Sequence, residues 1–173
     1  MPKIIENVRE QLLAEAKTQI ARYGYAETTI RSVAGACGLG VGTVYNYFKS
    51  KEMLIATVVL EDWKKYLSAM NALPVEKPKE VLQGIYDLLR SFEEENRKLF
   101  SDSDAAKIVN IGFSARHKTL RAQIASVIFP VCEKNGLDTP SFTAEFIAES
   151  LISWSMEELE FEMIYPLLDK IIN

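Results

Sequence analysis

The sequence predicts an all-α chain of eight to nine helices, with an N-terminal three-helix domain built around a helix-turn-helix and a C-terminal helical bundle. Three observations carry this. Apolar residues recur every three or four positions in almost every segment. The breaks between segments fall at Gly, Pro or Thr pairs. Neither strand-like alternation nor an Asn-Gly hairpin signal occurs.

The elements follow in order. Ile5, Val8, Leu12, Ala16, Ile20 and Tyr23 make one stripe, which Gly24 is expected to end. Thr28-Thr29 offers an N-cap for a short helix over 30–37, stopped by Gly38. A second short helix covers 41–48, and a long one runs from Lys51 to Pro74. "PVEKP" is a linker, and Val81, Leu82, Ile85, Tyr86, Leu89 and Phe92 mark the next apolar face, whose far end "EEENRK" reads as solvated. A short helix is expected over 103–111 and a longer one over 114–135, kinked by Pro130 and closed by Gly136. Thr139-Pro140 reads as N-cap plus first-turn proline for a helix over 142–159. Pro166 predicts a break before a short last helix ending in "LLDKII".

Composition narrows the function. With 173 residues, 48% hydrophobic and 25% charged, the chain can bury a sizeable core and stay soluble. Its two cysteines, Cys37 and Cys132, lie outside any CxxC pair, and His117 is its only histidine, so no disulfide or zinc framework and no metal or cofactor is expected. No apolar run spans a bilayer, and "MPKIIENVREQLL" lacks a signal-peptide core, which predicts a cytoplasmic protein without a membrane partner. Residues 1–52 carry seven Lys/Arg against five Asp/Glu, whereas residues 53–173 carry thirteen against nineteen. A polyanion could be met at the N-terminal end and nowhere else, but an excess of two charges does not by itself indicate nucleic-acid binding.

The two short helices carry the chemistry. Ile30, Val33, Ala34 and Cys37 give the first an inward face; Gly38 permits the turn, and Leu39 plugs it into the core. Val44 and Phe48 fix the second helix and leave Gly42, Thr43, Tyr45, Asn46 and Tyr47 wholly or partly outward. Glycine allows close backbone approach, hydroxyls donate to phosphates, and Asn pairs with a base edge. Lys49 and Lys51 follow at the next helix start, where free backbone N–H groups also favour phosphate. An ordinary helical corner is the competing reading of the same pattern.

At this point "YGYAETTIRSVAGACGLGVGTVYNYFKSKEML" resembles the DNA-binding signature of TetR-family transcriptional regulators, over about residues 5 to 60. The resemblance implies domains at 1–50 and 51–173, for double-stranded DNA and for dimerisation and effector binding respectively. It makes the helix over 41–48 the major-groove reader. Thr29, Thr43, Tyr45, Tyr47 and Lys51 become phosphate contacts, with Val41, Gly42 and Asn46 nearest base edges. Gly40 stands where the family usually has Ser or Thr, and Val41 where a polar or cationic residue is common. Base readout through a thymine methyl is the mode that remains.

The family is expected to be a homodimer that releases a palindromic operator when a small effector binds. On the helix over 142–159, Ala144, Ala148 and Ser155 form a small-residue line beside Ile147, Leu151, Ile152 and Leu159. This face, with Leu167, Leu168 and Ile171, is the expected dimer interface; an intrachain core face is the alternative. The resemblance places the effector in the C-terminal domain, where Trp63, Tyr66, Tyr86, Phe113, His117 and Trp154 are candidates. A ring with a polar tip can orient a ligand in an apolar cavity, and few inward charges suggest an apolar or aromatic one. Core packing, and a solvated or capped His117, are the competing readings. A regulator with no small ligand, serving a protein partner or dimerisation only, is the alternative function. An all-α enzyme is disfavoured, since no Ser-His-Asp set, metal cluster or glycine-rich phosphate loop is visible.

Overall fold

The computed structural model describes residues 7–105, 113–157 and 159–173, the side chains of 113–116 excepted. Eight helices occur among them: α1 Val8–Glu27, α2 Ile30–Ala36, α3 Val41–Tyr47, α4 Lys51–Asn71, α5 Pro78–Phe100, α6 Phe113–Lys134, α7 Pro140–Met156 and α8 Phe161–Ile172. The short helix expected over 103–111 is helical at 103–105, and its remainder lies outside the described residues.

Two compact units emerge, Met1–Asp62 with Glu95–Ile111, and Trp63–Glu94 with Gly112–Asn173. The first extends past the residue 50 boundary because Leu54, Ile55 and Val58 of α4, and Leu99 of α5, join the core made by α1 to α3. Leu12, Ala16, Val33 and Val44 are fully covered at its centre. The regular backbone of α1 stops at Gly24, as expected. That residue takes φ 85° and ψ 175°, which kinks the helix, and the chain resumes through Glu27. Burial of Tyr25 beyond the kink rewards the extra turn.

Lys17 of α1 is shared by two carboxylates in this unit, Asp62 of α4 at 2.7 Å and Glu95 of α5 at 3.2 Å. Lys98 Nζ also donates to the Ala21 carbonyl at 2.7 Å, a second tie between α5 and α1.

The second unit packs α6 along α7. Ile124, Ile128 and Val131 meet Ile147, Ala148 and Leu151, with Leu82, Ile85 and Tyr86 of α5 and Ile164 and Leu168 of α8 in the same cluster. This overturns the expected dimer face. Ala144, Ile147, Ala148, Leu151, Ile152, Ser155 and Leu168 are all buried within the single chain. Their small side chains let helices of one protomer approach closely; the Ser155 hydroxyl donates to the Ile152 carbonyl instead of crossing an interface. Leu159 and Ile171 are half-buried against the same core. Of the expected set, Leu167 alone is largely exposed, at 56%.

Pro166 does not break α8. The carbonyl it leaves without an amide partner belongs to Glu162, and both residues are exposed, so water can satisfy the group. Phe161, Ile164, Leu168 and Ile172 meanwhile stay buried on either side of it. Pro130, where a kink is expected, lies inside the single helix α6.

Candidate nucleic-acid interface

The site begins with the cap of α2. Thr29 Oγ1 accepts from the Ser32 N–H at 2.9 Å, and Ser32 Oγ accepts from the Thr29 N–H at 2.9 Å, a reciprocal capping box. Ser32 Oγ in turn donates to Gln19 Oε1 at 2.6 Å, which gives the buried Gln19 amide of α1 a partner on α2. Thr29 itself is exposed. A hydroxyl that accepts retains an O–H to donate, so capping and an outward contact are compatible.

The turn is a Schellman closure. Leu39 N–H donates to Ala34 O at 2.8 Å and Gly38 N–H to Gly35 O at 3.1 Å, with Gly38 at φ 67°. Gly40 then starts α3 without a side-chain cap, and its carbonyl receives the Thr43 N–H at 2.9 Å. Val44 and Phe48 are buried, which sets the rotation of α3. Gly42, Tyr45, Asn46 and Tyr47 are exposed, and Thr43 is half-buried. Tyr45 and Tyr47 each show 46% of their surface, a large exposure for aromatic rings. Val41 is half-buried against the core, so less of it faces outward than its neighbours.

Beside this face lies an open depression of about 570 Å³, lined by Thr29, Ile30, Arg31, Val41, Tyr45, Lys49, Ser50, Lys51 and Glu52. Arg31 and Ser50 were not among the predicted contacts. The signal that could have found Arg31 is its place one position after the first residue of α2, beside the cap. Ser50 caps α4, with its Oγ accepting from Met53 N–H at 3.2 Å. Lys49 Nζ reaches the Tyr45 carbonyl at 3.4 Å. The Lys51 ammonium sits 3.9 Å from the centroid of the Tyr25 ring and donates to the Ala26 carbonyl at 3.3 Å. Burial pushes its pKa down from the ordinary lysine value, opposed by the carboxylates of Glu52 and Asp102. Three cations and three hydroxyl side chains on one concave surface, with the Glu52 carboxylate beside them, can receive a phosphate backbone.

The expected effector residues fall into separate groups in the second unit. Trp63 and Tyr66 both pack edge-on against Phe92, with centroids 5.3 and 5.4 Å away. Trp63 Nε1 donates to Gln123 Oε1 at 2.8 Å. Tyr86 is buried, and its hydroxyl reaches the Trp154 carbonyl at 3.1 Å and the Leu159 carbonyl at a still shorter distance. Its polar tip thus ties α5 to the chain after α7, and Trp154 contributes its backbone there. Burial, with the Glu160 carboxylate, pushes the Tyr86 phenol pKa up against the pull of Arg90. His117 Nε2 lies 2.9 Å from both Glu149 oxygens, and Arg121 reaches the same carboxylate at 3.4 Å. The Phe113 side chain lies outside the described residues.

Residues 12–58, the span holding this turn, the exposed α3 face and the depression, match the family model of bacterial regulatory proteins of the tetR family. This N-terminal segment is a TetR-family DNA-binding region. Among relatives, the HTH-type transcriptional repressor KstR2 of Mycolicibacterium smegmatis is 34% identical over 49% of this chain and 42% of its own length. The HTH-type transcriptional repressor Rv1474c of Mycobacterium tuberculosis is 27% identical over 70% of this chain and 67% of its own. These TetR-family relatives are regulators of transcription, not enzymes. The chain thus spans less than half of KstR2. Solved structures share the fold: a transcriptional regulator from Cytophaga hutchinsonii aligns with TM-score 0.66 at 19% identity, covering 94% of this chain and 93% of that one. BioQ with its natural double-stranded DNA operator aligns with TM-score 0.57 at 17% identity, covering 95% and 94%. Among the described residues no helix is long and apolar enough to cross a membrane, and no cluster of His, Cys, Asp and Glu could hold a metal ion.

Proposed function

We propose that this chain, with its TetR-family DNA-binding region, is a cytoplasmic, DNA-binding repressor of transcription that grips a palindromic operator as a homodimer. The observation that carries the reading is the pairing of the exposed Tyr45, Asn46 and Tyr47 and the half-buried Thr43 with the depression that holds Arg31, Lys49 and Lys51. Thr29, Thr43, Tyr45, Tyr47 and Lys51 contact phosphates, joined by Arg31 and Lys49. Asn46 reads a base edge, and Gly42 and Val41 let the backbone and a methyl group come close. Anisotropy titration of the chain against duplex DNA over a range of salt tests this. Log affinity should fall linearly with log salt, by about 0.9 per phosphate neutralised. No duplex binding at low salt would remove the reading.

Dimerisation uses the exposed sides of the last two helices, which keep only Leu167 of the predicted set. Phe142 at 72%, Phe146 at 48% and Met156 at 58% exposed lie on α7, and Met163 at 68% and Leu167 at 56% lie on α8. Large apolar side chains this open on a helical pair mark an association surface. Two protomers then place two copies of α3 about 34–36 Å apart, one turn of DNA.

Release follows binding of a small apolar or aromatic effector in the second unit. α4 runs without interruption from Lys51, beside the reading helix, to Asn71 in that unit, so a shift in its far half is carried to the DNA-binding head. A second reading has a specific observation behind it. Trp63 Nε1, the Tyr86 hydroxyl and His117 are each satisfied by the protein itself, as expected if this unit serves dimerisation or a protein partner without a small ligand. A ligand that lowers operator affinity at constant salt favours the first reading; its absence across apolar and aromatic libraries favours the second.

A further inference from the structure

Tyr25 is the first residue past the Gly24 kink, 7% exposed, and the face of its ring lies under the Lys51 ammonium, 3.9 Å from the centroid. The next residue, Ala26, accepts a hydrogen bond from the same ammonium at 3.3 Å. Burial, and after it the Glu52 carboxylate near Lys51, push the Tyr25 phenol pKa up from its ordinary value. The last turn of α1 therefore forms a seat for one lysine, and that turn points this way because Gly24 takes a positive φ. Lys51 also lines the depression with Thr29, Arg31, Tyr45 and Lys49.

Lysine is a flexible point charge, and a phosphate that captures it must freeze its side-chain rotations. A lysine already fixed at the rim of the site loses less on binding. A ring face suits this role, since it attracts the cation without neutralising it, as a carboxylate would.

We propose that Tyr25 is a positioning residue for nucleic-acid binding, whose ring face holds the Lys51 ammonium ready for a backbone phosphate. The inference rests on the operator-binding reading above. It assigns a role in recognition to a buried residue at the end of α1 that itself touches no DNA.

The test is anisotropy with a mixed-sequence DNA duplex across a salt series, on the full chain and on Tyr25→Phe, Tyr25→Leu, Lys51→Met and the Tyr25→Leu/Lys51→Met double variant. Tyr25→Phe keeps the ring and should stay within about twofold of the unaltered chain, while Tyr25→Leu should weaken binding roughly fivefold. Lys51→Met should reduce the salt slope by about 0.9. On the Lys51→Met background, Tyr25→Leu should have no further effect, because the two substitutions remove one interaction. Graded fluorination of a phenylalanine placed at position 25 keeps the shape while draining the ring face of negative charge. Affinity should then fall with each fluorine, and this arm stands even where Tyr25→Leu does not fold.

Equal losses from Tyr25→Leu on both backgrounds, a flat fluorine series, or an unchanged salt slope in Lys51→Met would each overturn the inference. Duplex binding by the unaltered chain alongside a flat fluorine series overturns this inference alone. No duplex binding by the unaltered chain overturns the operator reading and this inference with it.

Discussion

Lys17 places its ammonium 2.7 Å from the carboxylate of Asp62, whose side chain is 3% exposed, and so fastens α1 to α4 from across 45 residues of chain. Burial lowers the Lys17 pKa, but hydrogen bonds and attraction from Asp62, with Glu95 behind it, outweigh that and leave it raised above the ordinary lysine value of 10.5. A raised folded-state pKa means that this stabilisation is complete below the unfolded value and is lost as pH climbs through the folded one. Lys17→Met removes the ammonium from a buried carboxylate and should destabilise by about 1–3 kcal/mol, discounted because Lys17 is 42% exposed. Urea denaturation at neutral pH measures the loss. The difference between the two proteins should shrink above pH 10.5, and a constant gap would contradict the ion-pair account.

Thr29 should show two separable effects. Thr29→Ala breaks the capping box with Ser32 and should lower stability by about 1 kcal/mol, whereas Thr29→Ser keeps the cap. With a phosphate contact as well, Thr29→Ala should also weaken duplex binding at temperatures where the variant is fully folded. Thermal denaturation and anisotropy read the two effects independently.

Tyr47 and Asn46 are neighbours with different expected roles. Tyr47→Ala should weaken operator and non-operator binding alike, by about tenfold or more for a lost hydrogen bond to a charged phosphate. Asn46→Ala should cost about 1–3 kcal/mol on the preferred sequence and little elsewhere, relaxing specificity at one position. Uniform loss from Asn46→Ala would move it to the phosphate-contact group.

The two faces of α7 make opposite predictions. Phe146→Glu on the exposed face, or Leu167→Glu on α8, should leave a folded monomer by sedimentation. Leu151→Ala on the buried face should instead lower stability by about 2–5 kcal/mol, because it opens a cavity in the intrachain core. A dimer that survives both glutamate substitutions would place the interface elsewhere.

Local rules made much of this molecule readable. The Thr29 cap, the Gly38 turn and the inward spacing of Val44 and Phe48 are short-range features, and the structure reproduces each of them. The face of α7 was not readable, because this helix is apolar on more than one side. Phe142 and Phe146 point outward while Ala144, Ile147 and Ala148 point inward, so periodicity alone cannot choose between them. Pro166 misled for a related reason: a proline penalty is local, whereas the stripe of Phe161, Ile164, Leu168 and Ile172 that outweighs it is tertiary. The partnerships of Lys17 with Asp62 and of Lys51 with Tyr25 join residues far apart in sequence, and only the folded chain brings them together.

Selection of bound duplexes from a random-sequence pool tests the central claim most directly. The account predicts enrichment of a palindrome whose half-sites are centred about 10–10.5 base pairs, or a multiple of that, apart, bound by an even number of chains. A pool that shows no enrichment, or an unrepeated site bound by one chain, would contradict it.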